Sequence, residues 1–150
     1  MSALNKKKPG KDFQLSPGFF RQMAVISYDA LLLLALLFLA TALILPFNEG
    51  KAFSSSQYFF PLYLLLVSYL YYGWFWTHGG QTLGMKTWKI KIQTLEQTPV
   101  TWSLAFKRFI LAMVSWGFVG LGFLWLFIDK RKLTWHDKLS GTQLVFEDKK

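Results

Sequence analysis

The sequence predicts an all-α membrane protein: two full transmembrane helices plus a third apolar segment, either a span or a glycine-hinged re-entrant hairpin, with a small cytoplasmic β patch. Three observations predict it. Hydrophobic residues make up 53% of the 150 and aromatic residues 19%. They gather into three long apolar runs, as in integral membrane proteins. The Lys and Arg behind a formal charge of +9 cluster in the segments flanking those runs. Such flanking charge fits membrane topology and attraction to the anionic headgroups of a lipid bilayer. No RNA- or DNA-reading motif accompanies it, so nucleic acid is not an expected partner. The absence of cysteine excludes disulfides and thiolate metal sites.

Taken in order, residues 1–16 carry Lys6, Lys7, Lys8 and Lys11 around Pro9 and Gly10, and read as a disordered basic tail against the headgroups. A membrane domain over residues 17–146 and a short tail over 147–150 follow. The first run, residues 24–45, makes about 33 Å of helix, enough to cross a hydrocarbon core of ~30 Å. Its pre-hydrophobic stretch and its own length predict an uncleaved anchor rather than a signal peptide. Pro46 and Asn48-Glu49-Gly50 end it. The second run, residues 58–76, has no charge and carries tyrosines and tryptophans towards each end, an aromatic belt.

Residues 80–86 read as a tight glycine-bracketed turn. Residues 87–94 then alternate Trp88, Ile90 and Ile92 against Lys89, Lys91 and Gln93, the period of a strand. Residues 96–99 supply a turn, and residues 100–102 a possible short return strand. Thr101 or Ser103 would cap the helix that follows. The third run, residues 109–128, holds Gly117, Gly120 and Gly122, and residues 141–146 read as a second strand.

Charge counting bears on the third run. Five Lys or Arg lie through Arg21, one in the first loop, five between the second run and Arg108, and six after the third run. Excess basic charge marks the cytoplasmic side. Three plain spans cannot put the first, third and fourth of these groups there. A third run hinged at its glycines can, and it also lets the two strands pair; a plain third span is the alternative.

Four residues stand out as candidate sites. Asp29 is the single ionisable residue of the first run. A carboxylate there is disfavoured by roughly 2.5–3.5 kcal/mol on insertion scales, so it faces protein or water and has a partner. It reads either as an ion- or proton-binding site or as a structural carboxylate bonded to Ser27, Ser68, Ser115 or a tyrosine of the second helix. Arg21, about 80° around and roughly 12 Å along the same helix, is out of its reach. Arg21 suits either an anionic headgroup or a bidentate pairing with Asp137 or Asp129, the pairing being favoured. His136 and His78 lack metal-site spacing, and no nucleophile elbow, phosphate loop or dinucleotide fingerprint occurs. The chain is therefore expected not to be an enzyme and to need no metal or cofactor.

The stretches Pro17-Gly18-Phe19-Phe20-Arg21 with Asp29, Gly80-Gln81-Thr82-Leu83-Gly84-Met85-Lys86, and Trp135-His136-Asp137-Lys138-Leu139-Ser140-Gly141-Thr142 resemble the RDD family of small membrane proteins, named for one arginine and two aspartates. The resemblance maps these to Arg21, Asp29 and Asp137, with Asp129 competing for the last. Met85 stands where many relatives place a lysine directly after the glycine. The resemblance implies an integral protein of the bacterial inner or plasma membrane, with cation or proton transport suggested for some members. The expected function is such transport through a homo-oligomer using Asp29. A non-transporting interaction or assembly module is the alternative, and the N-terminus is expected in the cytoplasm.

Overall fold

The computed structural model describes residues 16–54, 57–118, 120–130 and 132–147, with backbone alone at Phe123 and Leu126. Helix α1, Phe19–Ile44, continues into a 3-10 turn, Leu45–Asn48, that Pro46 starts and Glu49 and Gly50 close with positive φ. Helix α2, Phe59–Thr77, returns antiparallel to it: Tyr63 donates to the Ala40 carbonyl (3.1 Å) near one end, while Tyr71 and Tyr72 lie beside Asp29 towards the other. Both helices are long and apolar enough to cross a membrane. Their flanks are apolar and bare, Leu31, Phe38, Leu43 and Leu62 all being at least 65% exposed. A soluble monomer rarely carries so continuous an apolar surface, which suits hydrocarbon.

Residues 80–86 are more than a turn. Thr82 caps a short helix, α3, Leu83–Thr87, by accepting from the Met85 N–H. The first predicted strand is accordingly shorter than its alternation suggested. Thr87 ends α3, Trp88 and Lys89 turn with Lys89 at φ 52°, and β1 is Ile90–Thr94. No return strand forms at residues 100–102; Thr101 instead caps α4, Trp102–Gly117, accepting from the Leu104 N–H.

The third apolar run is not a single helix. At 16 residues α4 is about 24 Å long, short of a ~30 Å core. The chain then reverses through Gly120 (φ 73°) into α5, Leu121–Leu124, and a 3-10 turn, Trp125–Phe127. Gly122 lies so close to α4 that an added Cβ would sit 1.9 Å from Ser115 Oγ. The glycine cluster therefore does what the hairpin reading required: it lets the returning chain press on the outgoing helix. Phe127 ends against Phe19, at the start of α1 (ring centroids 5.3 Å).

Helix α6, Trp135–Ser140, leads into β2, Thr142–Phe146. The two strands pair antiparallel, Ile92 opposite Leu144 and Thr94 opposite Thr142. The other edge of β1 is covered, the Ile92 N–H donating to the Gly80 carbonyl and Gln81 Nε2 to the Ile90 carbonyl. Gly80 has φ 70°, and an added Cβ would lie 2.6 Å from the Ile92 oxygen, so this approach needs glycine. A core of Val25, Trp76, Met85, Ile90, Ile92 and Phe109 joins the sheet to α1, α2 and α4. Of the two predicted tails, only Ser16, which is buried, and Glu147, whose N–H donates to the Lys89 carbonyl, fall within the described residues.

Candidate functional site

Two buried polar locks fasten the sheet unit to the helices. The first is Asp29, 2% exposed on the face of α1 that meets α3. One carboxylate oxygen accepts from the Thr82 hydroxyl and the other from the Gly84 N–H (2.9 Å). The first N–H groups of a helix have no partner within it, so a carboxylate at this point satisfies one of them. Gly84 is required by contact: a Cβ there would sit 2.8 Å from both Asp29 Oδ1 and the Val25 carbonyl. Of the expected partners, the tyrosine of the second helix is in place, Tyr71 standing beside the carboxylate, whereas the serines are not. Ser68 donates to its own helix at Leu64, Ser27 is exposed, and Ser115 packs under Gly122; Thr82 and Gly84 take the carboxylate because α3 is pressed directly on α1.

Asp137 forms the second lock. It is the third residue of α6 and closes a capping box with Thr134: Asp137 Oδ2 accepts from the Thr134 N–H (3.1 Å) and Thr134 Oγ1 from the Asp137 N–H (3.3 Å). Its other oxygen accepts from Arg108 of α4, and both side chains are almost fully buried. The same guanidinium nitrogen donates to Thr142 Oγ1 (2.6 Å), and the guanidinium carbon stands 5.3 Å from the centre of the Trp76 ring. One arginine thus joins α4, α6, β2 and α2.

The favoured pairing of Arg21 with Asp137 or Asp129 does not form. Arg21 is exposed and lies over the Phe146 ring at 5.0 Å, whereas Asp137 is enclosed beneath Arg108. Asp129 accepts from the Leu133 N–H (3.2 Å) and lies 3.7 Å from Lys138 Nζ, shaping the entry to α6. Of the four candidates, then, Asp29 and Asp137 each anchor a lock, and Arg21 and Asp129 belong to neither. Sequence reasoning passed over Arg108, Thr82, Thr134 and Thr142. Two signals were present: Thr134-x-x-Asp137 has capping-box spacing, and Arg108 falls on the same stripe of α4 as Ala105, Phe109 and Ser115. Among the described residues, no group of three or more His, Asp or Glu is placed to hold a metal ion.

Between the locks lies a cavity of about 330 Å³, bounded by Gln22, Val25 and Asp29 of α1, Trp76 of α2, Arg108 and Phe109 of α4, and His136. It is mostly apolar.

The second lock makes stability depend on pH. Burial pushes the His136 imidazole down to about 4; the Asp137 charge pulls it up and the Arg108 charge pushes it down, and burial wins. Burial alone would raise Asp137, but Arg108 first, then His136 and the hydrogen bonds from Thr134 and Arg108, hold its carboxyl below the usual range. Between pH 4 and 6.5 the unfolded chain binds a proton at His136 that the folded chain does not. Stability therefore falls as pH drops through this window, by roughly 3 kcal/mol from His136. The Asp137 contribution is present above its unfolded value of about 3.8 and is lost below it. Melting temperatures in detergent from pH 7 to 4 should fall steadily, and His136→Gln should flatten the part between 6.5 and 4.

Residues 16–141 match the RDD family model. Neither a curated protein nor a solved structure shows significant similarity to the chain. With that match running from the segment before α1 through α6, and with both locks inside it, the chain belongs to the RDD family.

Proposed function

We propose that this RDD-family membrane protein is a non-enzymatic anchoring and assembly module of the bacterial plasma membrane. Its two spanning helices hold a basic sheet unit at the cytoplasmic headgroups and recruit partners within the bilayer. The observation that carries this reading is the state of Asp29. Both carboxylate oxygens are engaged, by the Thr82 hydroxyl and the Gly84 N–H, which is the use made of a fastening rather than of an ion site that must load and unload. Charge supports the orientation. Among the described residues Lys51 is the one cation near the loop that joins α1 to α2, while Lys86, Lys89, Lys107, Lys130 and Lys138 lie on or beside the sheet unit. The positive-inside rule then puts the sheet and the start of α1 in the cytoplasm.

A second reading is cation or proton transport through a homo-oligomer. It is favoured by the position of Asp29 on the wall of the cavity that Arg108 and His136 also line. Asp29→Asn separates the two. Asparagine keeps an acceptor for the Gly84 N–H and loses the ionisable group. Under the assembly reading the variant stays folded, and neither it nor the parent protein carries cations or protons into proteoliposomes above the rate of empty vesicles. Flux through the parent protein that Asp29→Asn abolishes would establish transport instead.

A further inference from the structure

The cavity between α1 and α4 carries polar atoms that neither lock uses. Gln22, Trp76 and Arg108 line it and are 2%, 6% and 3% exposed. Gln22 Oε1, Trp76 Nε1 and Arg108 Nε are each buried with no hydrogen-bond partner among the described residues. A buried polar group left unpaired costs about 1–3 kcal/mol, so three around one cavity call for something that answers them. Two are donors and one is an acceptor. The space, about 330 Å³, exceeds a water's share of roughly 30 Å³ by about tenfold and falls in the range of small-molecule sites.

Charge limits what enters. The positive charge of Arg108 is already matched by Asp137, and Asp29 adds a carboxylate to the wall. An anionic head would meet that carboxylate without a free cation to offset it, so a neutral head fits best. The way in is apolar: Met113 and Trp116 also line the cavity, yet are 44% and 56% exposed on the outer side of α4. Under the membrane placement proposed above, on which this step rests, that side meets hydrocarbon.

We propose that the cavity binds the head of an uncharged glycerolipid of the monoacylglycerol type. An ester carbonyl accepts from Arg108 Nε and Trp76 Nε1, a free hydroxyl donates to Gln22 Oε1, and the acyl chain leaves past Met113 and Trp116 into the bilayer.

Native mass spectrometry of the full chain tests this, with monoolein, oleic acid and dioleoyl phosphatidic acid offered at equal mole fraction in detergent. The expected result is a 1:1 monoolein adduct that exceeds either anionic lipid about tenfold. Ala112→Phe, which fills the cavity from α4, should lower it by about tenfold at an unchanged melting temperature. Gln22→Met, which removes the acceptor, should lower it as much while also melting somewhat earlier, because it takes away the bond from Gln22 Nε2 to the buried Pro17 carbonyl (2.8 Å). If Ala112→Phe also melts early, the comparison of lipids on the parent protein decides alone. Equal adducts with all three lipids, or none with monoolein, overturn the site and mean that water answers the three atoms. Sidedness is measured independently by labelling, so a failed adduct with correct sidedness rejects the lipid site and leaves the anchoring function standing.

Discussion

Replacing Arg108 with methionine should lower stability by about 3–5 kcal/mol, the usual cost of removing one partner from a buried ion pair. The loss is large because Asp137 stays behind, fully buried and charged, with Thr134 its remaining close partner, while Thr142 Oγ1 loses a donor. The size of the loss should come from that stranded carboxylate more than from the absent contact. The double variant Arg108→Met/Asp137→Asn removes the charge but keeps an acceptor for the Thr134 N–H, so it should be more stable than Arg108→Met alone. Thermal unfolding in detergent of the two single variants and the double variant gives the coupling. Strict additivity would mean that the pair is not buried as described. Amide exchange should quicken first at Thr142–Phe146, the strand that Arg108 holds to α4.

The second large effect is expected at Gly84. Gly84→Ala places a methyl group 2.8 Å from Asp29 Oδ1 and from the Val25 carbonyl, neither of which yields easily, since the carbonyl belongs to helix backbone and Oδ1 to a carboxylate whose other oxygen is held by Thr82. Overpacking of this kind costs about 1–3 kcal/mol, and weakening the Gly84 N–H bond to a charged acceptor adds up to about 1.5–3. Gly117→Ala is the control, because its added Cβ meets nothing within 4 Å. It should be neutral or raise the melting temperature slightly through helix propensity. If Gly84→Ala melts with Gly117→Ala, α3 is not pressed on α1 and the first lock is not formed.

The membrane helices were legible because a spanning helix is specified locally: length and unbroken apolarity suffice, and α1 and α2 follow the runs to within a few residues. Pairing of the strands and the break at the glycines were also within reach, since the alternation at residues 87–94 reads as a strand and a hairpin that gathers the basic segments on one side, as the positive-inside rule favours, lets it pair. Side-chain partnerships were not. Asp29 meets Thr82 across 53 positions and Arg108 meets Asp137 across 29. The helical stripe that Arg108 shares with Ala105, Phe109 and Ser115 marks it as facing protein, but it does not say which carboxylate answers it. Arg21 and Arg108 both stand near the start of an apolar run. Only the arrival of α6 beside α4 buries the second and leaves the first to rest on Phe146. The short α3 was hidden for a related reason, its capping threonine and glycine being as good for a tight turn.

The third apolar segment is expected to leave and re-enter the membrane on the side of the sheet. The chain has no cysteine, so single replacements label cleanly. Glu96→Cys, in the turn after β1, Glu147→Cys, just after β2, and Lys51→Cys, in the loop between α1 and α2, are exposed positions for a membrane-impermeant maleimide on oriented vesicles. The predicted result is that Glu96→Cys and Glu147→Cys label from the cytoplasmic face and Lys51→Cys from the opposite one. Labelling of Glu147→Cys together with Lys51→Cys would contradict the account, because α4 to the 3-10 turn would then cross the membrane and the two strands could not meet.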